Sequence, residues 1–369
     1  MRRILLIGGG SGGHVFPLIA VAKVLKEKSQ DLELQLWGDG DFAKLASQKE
    51  GIKYKPIIAS KFRRYFSLLN IVDVFKLIPA FFQSMWMMYW YMPDVVFAKG
   101  YASLMPAIAA KFYMIPFYIH ESDSTPGLAN QILSKIASKI FISFESSAKY
   151  FNSSKTELVG NPVITDLAQG NYNQALGMFQ FNPDKKTILV LGGSQGAKII
   201  NDLILESIVQ LTQNYQIIHS TGESQFNKVK EGVEKIQKEG ESSYGQQIAD
   251  SYRPYPFLNL EEMKNAYAAA DIIIARGGAG LIFEIAMIGK PAIIIPLSLG
   301  ASRGDQIINA EEFAAYGASV IQEANLAPHI LINQIEELLK PENYTAISEK
   351  IKSFAKPDAA DIIAEKLLQ

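Results

Sequence analysis

The chain has 369 residues, 48% hydrophobic and 20% charged, the balance of a folded protein long enough for two ordinary domains, which excludes a disordered chain. It contains no cysteine, which excludes disulfide scaffolds, thiolate metal sites and cysteine nucleophiles. The net charge of −1 conceals an asymmetry: residues 1–163 hold 19 Lys+Arg against 12 Asp+Glu, and the remainder holds 17 against 25, so the first half is the one suited to an anionic partner.

Met1-Arg2-Arg3 leads into Ile4–Ile7, an apolar run that stops after four residues at Gly8; it reads as a buried strand and not as a secretory leader. A helix is expected from about Pro17 to Lys28, then a strand over Leu32–Trp37. Short β-rich runs follow at Val95–Ala98, Phe117–His120, Lys139–Ser143 and Glu157–Val159, with helical stretches between them. Such alternation predicts parallel strands joined by right-handed crossovers. Val159-Gly160-Asn161-Pro162-Val163 breaks the rhythm with turn residues and sets the expected hinge, dividing the chain at 163/164. The scheme then restarts. Thr187–Leu191 is a strand, Ala197–Leu211 a helix and Gln216–His219 a strand, with further strands at Asp271–Ala275, Ala292–Pro296 and Ser319–Gln322. The polar stretch 223–252 reads as a helix plus an exposed loop. Asp358–Gln369 reads as an amphipathic helix that either stays with the second domain or packs back on the first. The expected architecture is α/β: two doubly wound domains facing one another, with ligands at the carboxyl ends of the strands in the cleft between them.

Both domains open alike. Ile4-Leu5-Leu6-Ile7-Gly8-Gly9 and Ile188-Leu189-Val190-Leu191-Gly192-Gly193 are aliphatic runs that end in glycines ahead of a helix. In the first loop Gly8, Gly10 and Gly13 fit G-x-G-x-x-G, and Ser11, Gly12 and Gly13 bring N–H groups to the amino end of a helix expected to start near Val15–Pro17, a setting for an anion. Pro17 is expected in its first turn. The same motif marks nicotinamide-dependent dehydrogenases, for which Asp39 would be the ribose acid. Against that, His14 puts an ionisable ring where a dinucleotide loop needs only close packing, and a second glycine loop, Gly192-Gly193-Ser194-Gln195-Gly196-Ala197, occupies the other domain. Ser194 and Gln195 can donate to phosphate or sugar oxygens; the alternative for Ser194 is a helix N-cap.

Further on, Arg276-Gly277-Gly278-Ala279-Gly280 links a strand to a helix carrying Glu284, a carboxylate able to accept from both hydroxyls of a ribose. Gly278 and Ala279 lie at that helix's amino end. Asp305-Gln306 and Asn309-Ala310 follow on the next loop–helix junction, with groups suited to a sugar; the plainer reading makes Asp305 an N-cap. Residues 61–92 combine Lys61, Arg63, Arg64 and Lys76 with Phe62, Phe66, Phe75, Phe82, Trp86 and Trp90. The uncharged part, Leu77–Met92, holds Pro79, Gln83 and Ser84 and falls short of the about 20 residues a membrane span requires. It reads as an element lying on an anionic bilayer, the alternative being a buried helix.

These residues together resemble the MurG-type glycosyltransferase family, whose members complete the lipid-linked disaccharide-peptide precursor of the bacterial cell wall. The resemblance runs almost end to end, through GGGSGGHVFP (8–17), HESDSTPGLAN (120–130), GNPV (160–163), GGSQGA (192–197), YPFLNLEEM (255–263), the stretch Arg276–Pro296 and DQIINA (305–310). It implies the two-domain GT-B architecture, an acceptor domain followed by a UDP-sugar domain. Carried over residue by residue, Ser194 and Gln195 would touch diphosphate and sugar, with Gly196 beside them. The Leu258 backbone would read the uracil edge, Glu284 would hold the ribose, and Gln306 with Asp305 the N-acetylglucosamine. His14, Glu121, Asp123 and Asn130 would line the acceptor side. Three positions depart from the family pattern: Ile164 where arginine often follows Asn-Pro-Val, Leu281 where threonine is usual, and Lys99-Gly100-Tyr101-Ala102-Ser103, one glycine short.

The reaction expected is an inverting displacement that moves N-acetylglucosamine from its UDP donor to the C4 hydroxyl of a muramyl unit on a polyprenyl diphosphate, at the cytoplasmic face of the membrane. N–H groups of the second domain would stabilise the leaving diphosphate. No cofactor or metal is called for, the four histidines (14, 120, 219 and 329) being scattered. No nucleic-acid partner is expected. His14, Glu121 and Asp123 compete as the base, imidazole being favoured because it titrates near neutrality. The alternatives are another GT-B glycolipid glycosyltransferase, a UDP-sugar epimerase, or a non-catalytic membrane-bound UDP-sugar-binding protein.

Overall fold

A computed structural model describes residues 1–10, 12–59, 68–193, 196–239, 244–299 and 304–369. It divides into two compact units, Met1–Ile164 with Lys356–Gln369, and Thr165–Ala355.

In the first unit seven parallel strands are numbered in chain order: β1 (Arg2–Ile7), β2 (Leu32–Gly38), β3 (Lys53–Pro56), β4 (Val95–Ala98), β5 (Phe117–Glu121), β6 (Lys139–Ile142) and β7 (Thr156–Leu158). Their order in the sheet is β3-β2-β1-β4-β5-β6-β7. Helices cover both faces, so the central strands are apolar throughout instead of alternating with polar residues. Ile4 and Leu6 of β1 enter the core on one face with Val15, Leu18 and Leu25, while Leu5 and Ile7 enter the other with Trp37, Val96 and Ile119. The C-terminal helix, Ala359–Leu368, completes the first of these cores. Its Ala360, Ile363, Ala364 and Leu367 are buried there, against the helix Gly12–Lys28. Lys28 Nζ reaches Asp361 Oδ1 (3.1 Å) and Glu365 Oε1 (2.9 Å) across the seam.

The second unit repeats the plan with β8 (Lys186–Leu191), β9 (Tyr215–Ser220), β10 (Tyr252–Tyr255), β11 (Ile272–Ala275), β12 (Ala292–Ile294) and β13 (Ser319–Val320), in the order β10-β9-β8-β11-β12-β13. Ile188, Val190, Ile272 and Ile274 face one core with Ile200, Ile204 and Leu331. In each sheet the chain runs outward in one direction and then in the other. The switch falls between β1 and β4 and between β8 and β11, the places where such folds bind ligands beyond the strand ends. Both glycine loops, after β1 and after β8, sit there.

Three local expectations change. The stretch 223–252, expected as a helix plus an exposed loop, holds two helices among its described residues, Phe226–Glu239 and Gly245–Ser251. The first long helix begins at Gly12, not near Val15–Pro17, and Pro17 lies inside it, where its missing N–H leaves the Gly13 carbonyl without its intrahelical donor. Asp305 is the first residue of its helix, and Gly304 is the N-cap; the acid complements the helix dipole from the first turn.

Candidate functional site

The first unit's part is built on the ends of β1, β4 and β5. Beyond β1 the loop Gly8–Gly10 leads to the helix Gly12–Lys28; Ser11 lies outside the described residues. Gly12 and Gly13 form its first turn, and His14 follows. The His14 ring meets Tyr101 edge-on, with centroids 6.4 Å apart. Gly100 makes this possible: its φ is +83°, and a Cβ there would fall 3.0 Å from His14 Cγ. Tyr101 in turn donates to Asp39 Oδ2 (2.6 Å), which commits the carboxylate that a dehydrogenase would turn toward a ribose.

Glu121 is buried at the end of β5 and holds the turn that follows it. Its Oε1 accepts from Asp123 N (3.0 Å); its Oε2 accepts from Gly127 N (3.2 Å) and Asn130 Nδ2 (2.9 Å). Burial, reinforced by the Asp123 charge, raises its carboxyl pKa, while the bonds from Asp123 N and Asn130 pull the other way. With both oxygens engaged, Glu121 is built to shape a loop. Asp123 stands on that loop, partly exposed. Asn130 also donates to the His120 carbonyl (3.1 Å), and its Oδ1 is a buried acceptor left without a partner among the described residues.

Beneath them lies Lys99, 2% exposed. Its ammonium donates to His120 Nδ1 (2.9 Å), to Asn161 Oδ1 (3.3 Å) and to Ser122 Oγ. That fixes His120 as the tautomer protonated on Nε2, which donates to the Gly160 carbonyl (3.0 Å). Burial lowers the lysine's pKa and, with the neighbouring ammonium, holds His120 neutral. One side chain thus joins the Glu121–Asp123 turn to the Gly160–Val163 turn.

In the second unit Ser194 and Gln195 lie outside the described residues, but the loop ends are in place. At Gly196 (φ +74°) a Cβ would sit 2.3 Å from the Thr221 carbonyl, so the loop after β8 lies directly on the loop after β9. Asn201 Nδ2 donates to that carbonyl (3.0 Å) and Asn201 Oδ1 accepts from His219 Nε2 (3.0 Å), while Tyr252 donates to His219 Nδ1 (2.7 Å). After β11, Gly278 caps the helix Ala279–Ile288 without a side-chain bond, so the N–H groups of its first turn, Ala279 included, are open to an anion. Glu284 follows on the same helix. Its Oε2 accepts from Tyr267 (2.8 Å), and burial pushes its pKa up to about 7 against that bond. Leu258 is buried just ahead of the helix Leu260–Ala269, whose N-cap Asn259 forms a capping box with Glu262. Gln306 Oε1 accepts from Leu297 N (3.1 Å), which holds the amide by its oxygen, and Asp305 precedes it. Among the described residues no three His, Asp or Glu side chains converge as metal ligands would.

His14, Glu121, Asp123 and Asn130 therefore gather at one sheet end, and Gly196, Gly278, Ala279, Glu284 and Gln306 on the loops and helix starts beyond another. Sequence reasoning did not single out Lys99, Tyr101, Asn161 and Tyr267 as site residues. A lysine directly after the apolar run Val95–Ala98, at the carboxyl end of a strand, is the one signal that pointed to the first of them.

Comparison with known proteins decides the family. The glycosyltransferase family 28 N-terminal domain matches residues 4–142 and its C-terminal domain residues 187–364. The chain belongs to glycosyltransferase family 28. Curated relatives are similar over nearly their whole length. One from Treponema denticola is 36% identical over 98% of this chain and 94% of its own; one from Shouchella clausii is 35% identical over 100% and 99%. Both are named UDP-N-acetylglucosamine–N-acetylmuramyl-(pentapeptide) pyrophosphoryl-undecaprenol N-acetylglucosamine transferase. Among solved structures, Acinetobacter baumannii MurG superposes with a TM-score of 0.74 at 25% identity, covering 100% of this chain and 99% of that one. S. aureus MnaA with UDP superposes at 0.71 and 16% identity, covering 98% and 95%, a likeness of fold alone.

The family 28 enzyme carries one more feature outside both sheet ends. The helix Leu68–Tyr91 packs on Leu104–Phe112 through one face, where Ala80, Ser84, Met88 and Tyr91 are buried. The opposite face exposes Phe75, Ile78, Phe82, Trp86 and Trp90, with Met114 beside Phe112 at the end of the neighbouring helix. Phe82 and Trp86 are each 66% exposed, and Met114 89%. Lys61, Arg63 and Arg64 lie outside the described residues, whereas Lys76 is exposed on the helix. Among the described residues no helix is long and apolar enough to cross a membrane.

Proposed function

We propose that this glycosyltransferase moves N-acetylglucosamine from UDP-N-acetylglucosamine to the C4 hydroxyl of undecaprenyl-diphospho-N-acetylmuramyl-pentapeptide, with inversion at the anomeric carbon. The observation that carries the reading is the pair of glycine turns at the two switch points, each backed by a different chemistry. Beside the first stand an imidazole and a carboxylate suited to activating a hydroxyl. Beside the second stand open helix N–H groups, a carboxylate and an oriented amide suited to a nucleotide sugar.

Glu284 Oε1 is the oxygen left to the ribose hydroxyls once Tyr267 has taken Oε2. Gln306 Nε2 offers its protons to the sugar. As the bond from the anomeric carbon to the diphosphate breaks, negative charge grows on the leaving UDP, and the N–H groups at Gly278–Ala279 meet it. On the acceptor side, His14 or Asp123 takes the proton of the attacking hydroxyl. Glu121 is the weaker candidate, because three donors already occupy its oxygens. Asn130 Oδ1 is free to receive a hydroxyl of the acceptor sugar.

The exposed aromatic face of the helix Leu68–Tyr91 supports peripheral attachment to the cytoplasmic face of the membrane, where the lipid-linked acceptor is reached. Tryptophan favours the headgroup level of a bilayer, and each cation near an anionic surface adds about 1 kcal/mol. UDP release measured with UDP-N-acetylglucosamine and a short-chain lipid-linked muramyl-pentapeptide tests the activity. Release is expected only when both are present. Release without acceptor, accompanied by epimerised sugar, would favour the epimerase reading, and donor binding with no release would favour a binding protein.

A further inference from the structure

One carboxylate, Glu323 on the short turn Glu323–Asn325 that follows β13, ties together the chain just beyond β11 and just beyond β12. Glu323 Oε1 lies 2.7 Å from Arg276 Nη1, and the two side chains are only 14% and 10% exposed. Glu323 Oε2 accepts from Ser298 N (3.1 Å). Arg276 Nη1 also donates to the Ile295 carbonyl (3.2 Å). Next along the chain, Leu297 N donates to Gln306 Oε1 (3.1 Å), and Asn309 Nδ2 donates to the Gly277 carbonyl (3.2 Å). The backbone that orients Gln306 is therefore anchored one residue away by Glu323, and the strand end behind Gln306 is anchored by the arginine that Glu323 pairs.

We infer that Glu323 is a positioning residue for donor-sugar recognition: by bridging Arg276 and the Ser298 N–H it fixes the Leu297 backbone that aims the Gln306 amide, and so sets the choice among sugars that differ at a hydroxyl. The inference rests on Gln306 being a sugar contact. The chemistry fits the role. An ion pair this buried adds little net stability compared with an apolar pair, since desolvation offsets attraction, but its geometry is exacting. Burial would raise the Glu323 pKa, yet the bonds from Ser298 and Arg276 outweigh burial and keep the carboxylate ionised. Glutamine keeps the shape and loses the charge. Aspartate keeps the charge but, one methylene shorter, cannot span both Arg276 and Ser298 N.

The test uses full-length Glu323→Gln and Glu323→Asp, binding of UDP and of UDP-N-acetylglucosamine by calorimetry, and kcat/KM for UDP-N-acetylglucosamine against UDP-N-acetylgalactosamine. The expected result is a roughly tenfold weaker grip on UDP-N-acetylglucosamine with UDP binding within twofold of wild type, and a fall of about tenfold in the preference between the two sugars, Asp lying between Gln and wild type. Equal weakening of both ligands would mean general loosening of the unit and would overturn the inference, as would unchanged sugar preference in both variants. Should Glu323→Gln fail to fold, Glu323→Asp alone carries the comparison. Gln306→Ala is the control for the underlying reading. If it leaves sugar preference intact while the Glu323 variants alter it, the donor assignment of Gln306 has failed; if it abolishes preference and the Glu323 variants do not, only the inference has.

Discussion

Lys99→Met removes the ammonium at the centre of the acceptor-side network and keeps nearly the same volume. Lys99 is 2% exposed, and its three protons go to His120 Nδ1, Asn161 Oδ1 and Ser122 Oγ. Charge-assisted bonds contribute about 1.5–3 kcal/mol each, and relief of the ammonium's desolvation offsets much of their sum. His120 Nδ1, in a fully buried ring, is then left without a donor, at about 1–3 kcal/mol. The net expectation is a loss of about 2–3 kcal/mol from the first unit. All three tryptophans, Trp37, Trp86 and Trp90, lie in that unit, so tryptophan fluorescence during urea unfolding reports it selectively. With a slope of about 2–3 kcal/mol/M, the midpoint should fall by about 1 M. A midpoint unchanged or raised would refute the reasoning, because it would mean that the buried amine is neutral or that its bonds give no net stability.

Donor binding should follow the ionisation of Glu284. Burial places its pKa at about 7, so UDP affinity is expected to rise between pH 6 and pH 8 with proton release on binding; Tyr267→Phe, which deletes the bond that lowers this pKa, should move the midpoint upward in calorimetry. His219 acts on stability instead. Burial takes it from 6.5 to about 3, so the folded state keeps it neutral while the unfolded chain binds a proton below about pH 6.5. Its stabilising contribution is thus complete above that pH and declines by about 1.4 kcal/mol per unit as pH falls toward the folded value, and NMR should show no titration of the ring between pH 7 and pH 5. The double variant Trp86→Ser/Trp90→Ser, on a face already exposed, should fold normally and lose at least tenfold in binding to anionic vesicles by sedimentation; unchanged binding would remove this helix from the membrane contact.

The architecture was legible wherever a strand lies in the middle of a sheet. Ile4–Ile7, Val95–Ala98 and Ile188–Leu191 are apolar on both faces because helices cover both, and such runs are conspicuous. The strands that escaped, β3 and β10, are edge strands: Lys53-Tyr54-Lys55-Pro56 is polar, and Tyr252-Arg253-Pro254-Tyr255 contains a proline that only an edge tolerates. The glycine turns were legible because their chemistry is local. The residues that hold the site in shape were not, because each acts across a long sequence separation: Lys99 meets Asn161, Tyr101 meets Asp39, Arg276 meets Glu323. Glu121 shows the limit from the other side. Its chemistry qualifies it as a base, and only the three donors around its oxygens reveal that it shapes a turn.

The central claim is tested most directly by the structure of the product. Incubation of the full chain with radiolabelled UDP-N-acetylglucosamine and a lipid-linked muramyl-pentapeptide should give a single disaccharide, joined at the C4 oxygen of the muramyl unit with the β configuration that one inverting displacement produces from an α-linked donor. An α linkage, attachment at another oxygen, or free N-acetylglucosamine as the main product would contradict it.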